Sequence, residues 1–405
     1  MDEQQIAELK EIVATEVDRL QDQLISLSRT LYENPEISFE EHQSMALLAD
    51  VAEEGGFNVE RGNGGLATAY KAVQNGQSGG PTIAFLAEYD ALPEIGHACG
   101  HNFIAASSTG AALALRPVLD RLPGRVMIVG TPAEEKGAGK VTLVENGVFD
   151  GVDAVLMVHP ANKTLAVRGS LASTALHFEF FGKAAHAAVA PDAGINALDA
   201  CIQTFNNINA LRQHLPRSAK VMGIITHGGE APNIVPEYAA ARFSVRAGNS
   251  GESTEVVDKV MRCAESAAQA MGAEFKGHQL YHYANMIPNL AIARIFADEL
   301  TNLGETVYEA APDQRMGSTD AGNLSQIVPS IHPYLAITDP GVGNHTVAFR
   351  EAVVSERGNA GLIKAAKAMA LTAVELMARP ELVTEIRAEF EAAAKSWQPS
   401  SSKKN

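Results

Sequence analysis

A chain of 405 residues, 46% hydrophobic and 20% charged, has room for two or three domains with cores of ordinary size. Its formal net charge of −16 argues against nucleic acid or an anionic membrane as partner, since both need basic patches. Cys99, Cys201 and Cys263 are too few and too scattered for a disulfide framework, which points to a reducing compartment. The acidic first residues lack a basic and an apolar signal region, and no apolar run is long enough to span a bilayer, so the expectation is a cytoplasmic protein.

Apolar positions from Ile6 to Leu31 recur at helical spacing and predict a long amphipathic helix that ends at Asn34-Pro35. Ser38 reads as the cap of a second helix running to about Glu54, closed by Gly55-Gly56. Residues 68–73 predict a strand, 76–80 a polar turn, and 82–87 a strand buried on both faces. A small-residue helix follows over 102–115, then a strand over 125–129, a short helix over 140–146 and a strand over 153–158. This alternation indicates a doubly wound, mostly parallel α/β layer.

The pattern then changes. Strands over 175–181, 220–226, 239–246 and 273–280 alternate with helices over 194–211 and 253–271. The order βαββαβ is the ferredoxin-like α+β signature, so 173–283 reads as a domain inserted into a catalytic domain made of 1–172 and 284–396. Helices over 289–303, 355–377 and 380–395 and a strand over 331–337 return to the α/β character, and 397–405 reads as a disordered polar tail.

Four donor clusters each stand just past the end of a predicted strand: Cys99 with His101, Glu134 with Glu135, His159, and His345. Singly, each has a bland explanation as a buried thiol, a solvated helix start or a hydrogen-bonded histidine. Together they occupy the edge where open α/β sheets bind ligands, and their side chains are the usual ligands of divalent transition metals. Five donors, Cys99, His101, Glu135, His159 and His345, exceed a single tetrahedral site with an open position. They suit two ions sharing a ligand, or one ion of higher coordination. If Glu135 binds metal, Glu134 beside it is placed to take a proton from metal-bound water, and Asp90 fits a supporting role that orients a ligand.

The runs Asn34-Pro-Glu-Ile-Ser-Phe-Glu-Glu, Asp90-Ala-Leu-Pro, His97-Ala-Cys-Gly-His, Pro132-Ala-Glu-Glu, Val158-His-Pro, Gly182-Lys-Ala-Ala-His-Ala and Asn344-His-Thr together resemble metallopeptidase family 20. With Gly317-Ser-Thr-Asp320, they are most similar to its aminoacylase-1-like-2 and aminobenzoyl-glutamate hydrolase-like group. The resemblance implies metal ligation by Cys99, His101, Glu135, His159 and His345, and acid/base catalysis by Glu134. It further implies that the inserted domain is a lid that forms a homodimer. In that lid His186 would stabilise the oxyanion, and Asn233 and Arg246 would hold a substrate carboxylate. Asn102 and Lys136 stand where the group often has aspartate and glycine. The reading is a metal-dependent amidohydrolase, with one or two ions of zinc, manganese or cobalt, that cleaves a dipeptide, an N-acyl amino acid or an aminobenzoyl-glutamate-like substrate. The rivals are hydrolysis of a non-peptide C–N bond at the same site and a non-catalytic binding protein on the same fold.

Overall fold

A computed structural model describes residues 1–311 and 316–396. The expected disordered tail, 397–405, lies outside the described residues. The described chain forms two compact units, one of residues 1–169, 286–311 and 323–396, the other of residues 170–285 and 316–322.

The first unit opens with α1 (Glu3–Glu33). Its start is fixed by a capping box in which Asp2 accepts from the Gln5 amide at 2.8 Å and the Gln5 side chain accepts from the Asp2 amide at 3.1 Å. Its stripe from Ile6 to Leu31 is buried. Helix α2 (His42–Glu54) begins later than the sequence predicts, and Ser38 does not cap it: the Ser38 hydroxyl donates to Asp90 Oδ2 at 2.9 Å. The carboxylate of Glu36 accepts from the Gln43 and Ser44 amides instead, at 3.1 and 2.7 Å.

The main sheet contains β1 (Asn58–Arg61), β2 (Tyr70–Asn75), β3 (Gln77–Glu88), β4 (Pro123–Thr131), β5 (Ala154–Leu156) and β11 (Ser330–Ile331), in the order β1-β2-β4-β3-β5-β11. The four strands from β4 to β11 run parallel, as expected, while β1 and β2 add antiparallel pairs on one side. The expected turn over 76–80 shrinks to Gly76, because Gln77 already belongs to β3 and a register shift absorbs the residues before Thr82. The strand predicted over 331–337 divides into β11 and β12 (Tyr334–Ala336), since Pro333 between them has no N–H to continue one ladder. β12 pairs with β6 (His159–Ala161) in a separate two-stranded sheet.

Helix α3 (His101–Leu115) is buried along its whole length. Its hydroxyls are satisfied by backbone carbonyls: Ser108 donates to Leu86, Thr109 to Ala105 and Ser107 to Ile104. Around this layer lie α4 (Gly139–Glu145), α7 (Leu290–Asn302), α9 (Val347–Val353), α10 (Glu356–Ala378) and α11 (Pro380–Ser396). Glu88 and Thr131 are register partners at the ends of β3 and β4, so the loops that follow both strands leave from the same edge.

The second unit is built from β7 (Ala172–Phe181), α5 (Ala197–Leu211), β8 (Lys220–His227), β9 (Tyr238–Ala247), α6 (Ser250–Met271) and β10 (Glu274–Tyr283). Its antiparallel sheet has the order β10-β7-β9-β8. Asn196 and Asn249 cap the two helices, and Leu176, Phe178, Phe180, Phe243, Val256 and Val260 form a core of its own. The short α8 (Ala321–Leu324) closes the second excursion of the chain.

Candidate metal centre

The loop after β3 turns sharply between Cys99 and His101. Gly100 makes that turn with φ +87°, and a Cβ there would stand 2.5 Å from Pro160 Cγ, so both backbone angle and space require glycine. His101 opens α3 and is buried. Its Nδ1 lies 2.8 Å from the Asp90 carbonyl oxygen and 3.0 Å from Asp90 Oδ1. Both are acceptors, so Nδ1 carries a hydrogen and Nε2 is left for the centre. Asp90 also accepts from Ser38 and, at 2.9 Å, from the Glu135 amide, tying together three segments of the unit.

Glu134 and Glu135 follow β4 on a constrained turn. Ala133 has φ +60°, uncommon for a residue with a side chain, and its amide donates to Glu41 Oε1 at 2.9 Å. His159 opens β6. Its Nδ1 sits 2.7 Å from the Pro160 carbonyl, its Nε2 lies 3.5 Å from Cys99 Sγ, and its ring stacks on Tyr334 at 5.1 Å. His345 adopts φ +64°, is held by its amide donating to the Ala98 carbonyl at 2.9 Å, and places Nε2 3.4 Å from Glu135 Oε1.

Three donor trios result, in each of which the ligand atoms lie within 4.8 Å of one another: Cys99, His101 and His159; Cys99, Glu135 and His345; and His101, Glu134 and Glu135. Cys99 belongs to the first two. His101 Nε2 and Glu135 Oε1 are buried without a hydrogen-bond partner, as atoms reserved for a cation would be. The donor set therefore fits divalent metal, with the thiolate in position to serve two ions.

The electrostatics agree. Burial pushes the Cys99 thiol up, but His101 and His159 outweigh it and hold it well below its usual value. Burial pushes His101 down, while Cys99 and Asp90 carry it well above the usual histidine range. His345 is pushed up to about 10 by its interactions with Cys99 and Glu135. Asp90, despite burial that raises it, is drawn down to about 2 by His101 and by the hydrogen bonds it accepts.

The remaining sequence candidates are not among these donor trios. His186, Asn233 and Arg246 belong to the second unit, where the backbones of His186 and Ile234 bridge, Ala187 donates to the Asn233 carbonyl at 3.0 Å, and Arg246 sits on β9 opposite Ser173. Asn102 is buried in α3 and donates to Ser28, and Lys136 is exposed. Beside the centre Lys140 is buried and paired with Glu88 at 2.6 Å. Sequence reasoning passed over this pair, together with His332 and the Arg168 guanidinium 4.0 Å from the Tyr334 ring. Glu88, as the last residue of a buried strand, carried a signal; Lys140, a lone lysine at the start of a short helix, carried almost none.

A mostly parallel sheet with Cys, His and Glu donors gathered at its carboxyl edge, and a separate antiparallel unit, define a metal-dependent hydrolase. A family model described as the peptidase dimerisation domain of M20 proteins matches residues 168–271. The chain is 37% identical over 401 residues to the Xaa-Arg dipeptidase of Mus musculus, covering 94% of this chain and 92% of that protein. It is 32% identical to an N-acetyl-L-cysteine deacetylase of Bacillus subtilis, over 64% of this chain and 68% of the other. Its fold is shared with a dinuclear metal-binding M20 peptidase of Bacillus subtilis, with a TM-score of 0.68, 24% identity, and coverage of 89% and 99%. The chain belongs to the M20 family of metal-dependent peptidases and amidohydrolases, and it is a hydrolase of C–N bonds.

Proposed function

We infer that the protein hydrolyses the amide bond of a small substrate with a free carboxylate, a dipeptide before an N-acyl amino acid or an aminobenzoyl-glutamate. The observation that carries this reading is the pair of donor trios sharing Cys99, with Glu134 at their border. Similarity over nearly the whole chain to a dipeptidase that acts on Xaa-Arg supports the choice of substrate. Residues Cys99, His101, Glu135, His159 and His345 would hold two divalent ions, and the thiolate favours zinc over manganese or cobalt. Such ions supply Lewis acidity toward the scissile carbonyl and acidify water.

The chain's own groups do the rest. Asp90 fixes the ring of His101 and the Glu135 backbone. Glu134, whose Oε2 is 4.0 Å from His101 Nε2, accepts the proton of the attacking water and returns it to the departing nitrogen. Asn233 and Arg246 hold the substrate carboxylate, and His186 donates to the developing oxyanion. The second unit pairs two subunits into a homodimer.

Substituting Glu134→Ala tests the reading. Turnover of a dipeptide panel that includes C-terminal arginine, followed by free amino acid, should fall by at least about 100-fold. Metal content should remain that of the wild type. A fully active variant overturns the role of Glu134; release of ammonia without an amino acid overturns the substrate class.

A further inference from the structure

One ion pair beside the centre is out of reach of solvent. Lys140, in the first turn of α4, places Nζ 2.6 Å from Oε1 of Glu88, the last residue of β3, and their side chains are 0% and 1% exposed. Desolvating both charges costs several kcal/mol, which an apolar pair of similar volume would avoid. The oxygen of Glu88 nearest the lysine is Oε1. The other, Oε2, lies 3.5 Å from His101 Nε2, the ring atom that faces the donor cluster.

We propose that Glu88, oriented by Lys140, is an auxiliary carboxylate of the metal centre: a positioning residue that faces the ion of the Cys99, His101 and His159 trio and strengthens its binding. This rests on the metal reading above. Lys140 lets the fold keep a further carboxylate beside Cys99, Glu134 and Glu135 when no ion is bound. The arrangement is one-sided, because Glu88 faces His101, while His345 meets Glu135 at 3.4 Å on the other trio. The effect is therefore confined to one of the two ion positions.

The test is calorimetric titration of chelator-stripped protein with zinc chloride, with bound metal counted by elemental analysis and folding checked by circular dichroism. In His345→Ala protein, which keeps the first trio intact, adding Glu88→Gln should weaken zinc binding by about tenfold or more, the scale seen when a partner behind a metal ligand is removed. In His159→Ala protein, which breaks the first trio and keeps that of Cys99, Glu135 and His345, the same change should alter it by at most about twofold. Lys140→Met should lower the melting temperature of the metal-free protein, and zinc should restore more of the loss than it adds to wild type. Should Lys140→Met not fold, Glu88→Gln and the intermediate Glu88→Asp carry the comparison. Equal zinc affinity with and without Glu88→Gln in a folded His345→Ala background overturns the proposal. Wild-type protein that binds no zinc overturns the metal reading itself, a separable outcome.

Discussion

Glu41 is a carboxylic acid with no exposed surface, and its Oε1 accepts from the Ala133 amide at 2.9 Å while Oε2 has no hydrogen-bond partner. Burial, with Asp90 as a further anion, raises it from 4.5 to about 7. The folded protein therefore holds a proton there that the unfolded chain releases above pH 4.5. The stabilisation is complete below that value and is lost as pH rises through about 7, a change on the order of 3 kcal/mol. Glu41→Gln mimics the protonated acid and should remove this slope. Thermal melts at pH 5 and pH 8 should show the variant gaining on the wild type at the higher pH; parallel curves would contradict the assignment. The constrained Ala133 turn that presents Glu134 and Glu135 hangs on this residue. Nothing in the local sequence of Glu41 says so, because its partner Ala133 is 92 residues further along the chain.

The β3–α3 connection concentrates most of the site in one short element. A glycine in the left-handed region separates Cys99 from His101, and the Pro160 ring fills the space a side chain would need. Gly100→Ala should cost roughly 1–2 kcal/mol from backbone strain alone, more with the clash, and should weaken zinc binding along with stability. A variant with unchanged melting temperature and zinc affinity would show that the turn tolerates a Cβ. This element was legible in the sequence because a thiol, histidines and a glycine crowd one strand end. Elements whose identity depends on distant pairing were less legible. β6 and β12 exist only because His159 and Tyr334 come into register, and Glu88 meets Lys140 only once β3 and β4 end side by side. The short β1, paired with β2, was equally hidden.

On the scale of the molecule, the two units keep separate hydrophobic cores, and a change from near-continuous apolar strands to alternating ones announced the second unit in the sequence. Among the described residues its edge strand β8 exposes Met222, Ile224 and Ile225, with Ile224 63% exposed. Apolar edges of this kind pair with another chain or aggregate. Ile224→Asp should convert the homodimer proposed above to a monomer in light scattering after gel filtration, with the fold of each unit retained. A variant that remains dimeric would place the subunit contact elsewhere. No helix of the described residues is long and apolar enough to cross a membrane.

The catalytic layer is completed by residues that follow the inserted unit: β5 takes β11 as its outer neighbour, β6 takes β12, and α1 packs against α10. During biosynthesis Cys99 and His101 thus wait for His345 for roughly 12 to 50 s at ordinary elongation rates. Throughout that interval β5 has an unpaired edge and the early part of α1 lacks its long partner, while the inserted unit, whose segment 172–283 is contiguous, can complete its sheet and core. The trio of Cys99, Glu135 and His345 is accordingly the last to be assembled on the nascent chain, whereas the donors of the Cys99, His101 and His159 trio have all been synthesised before the inserted unit.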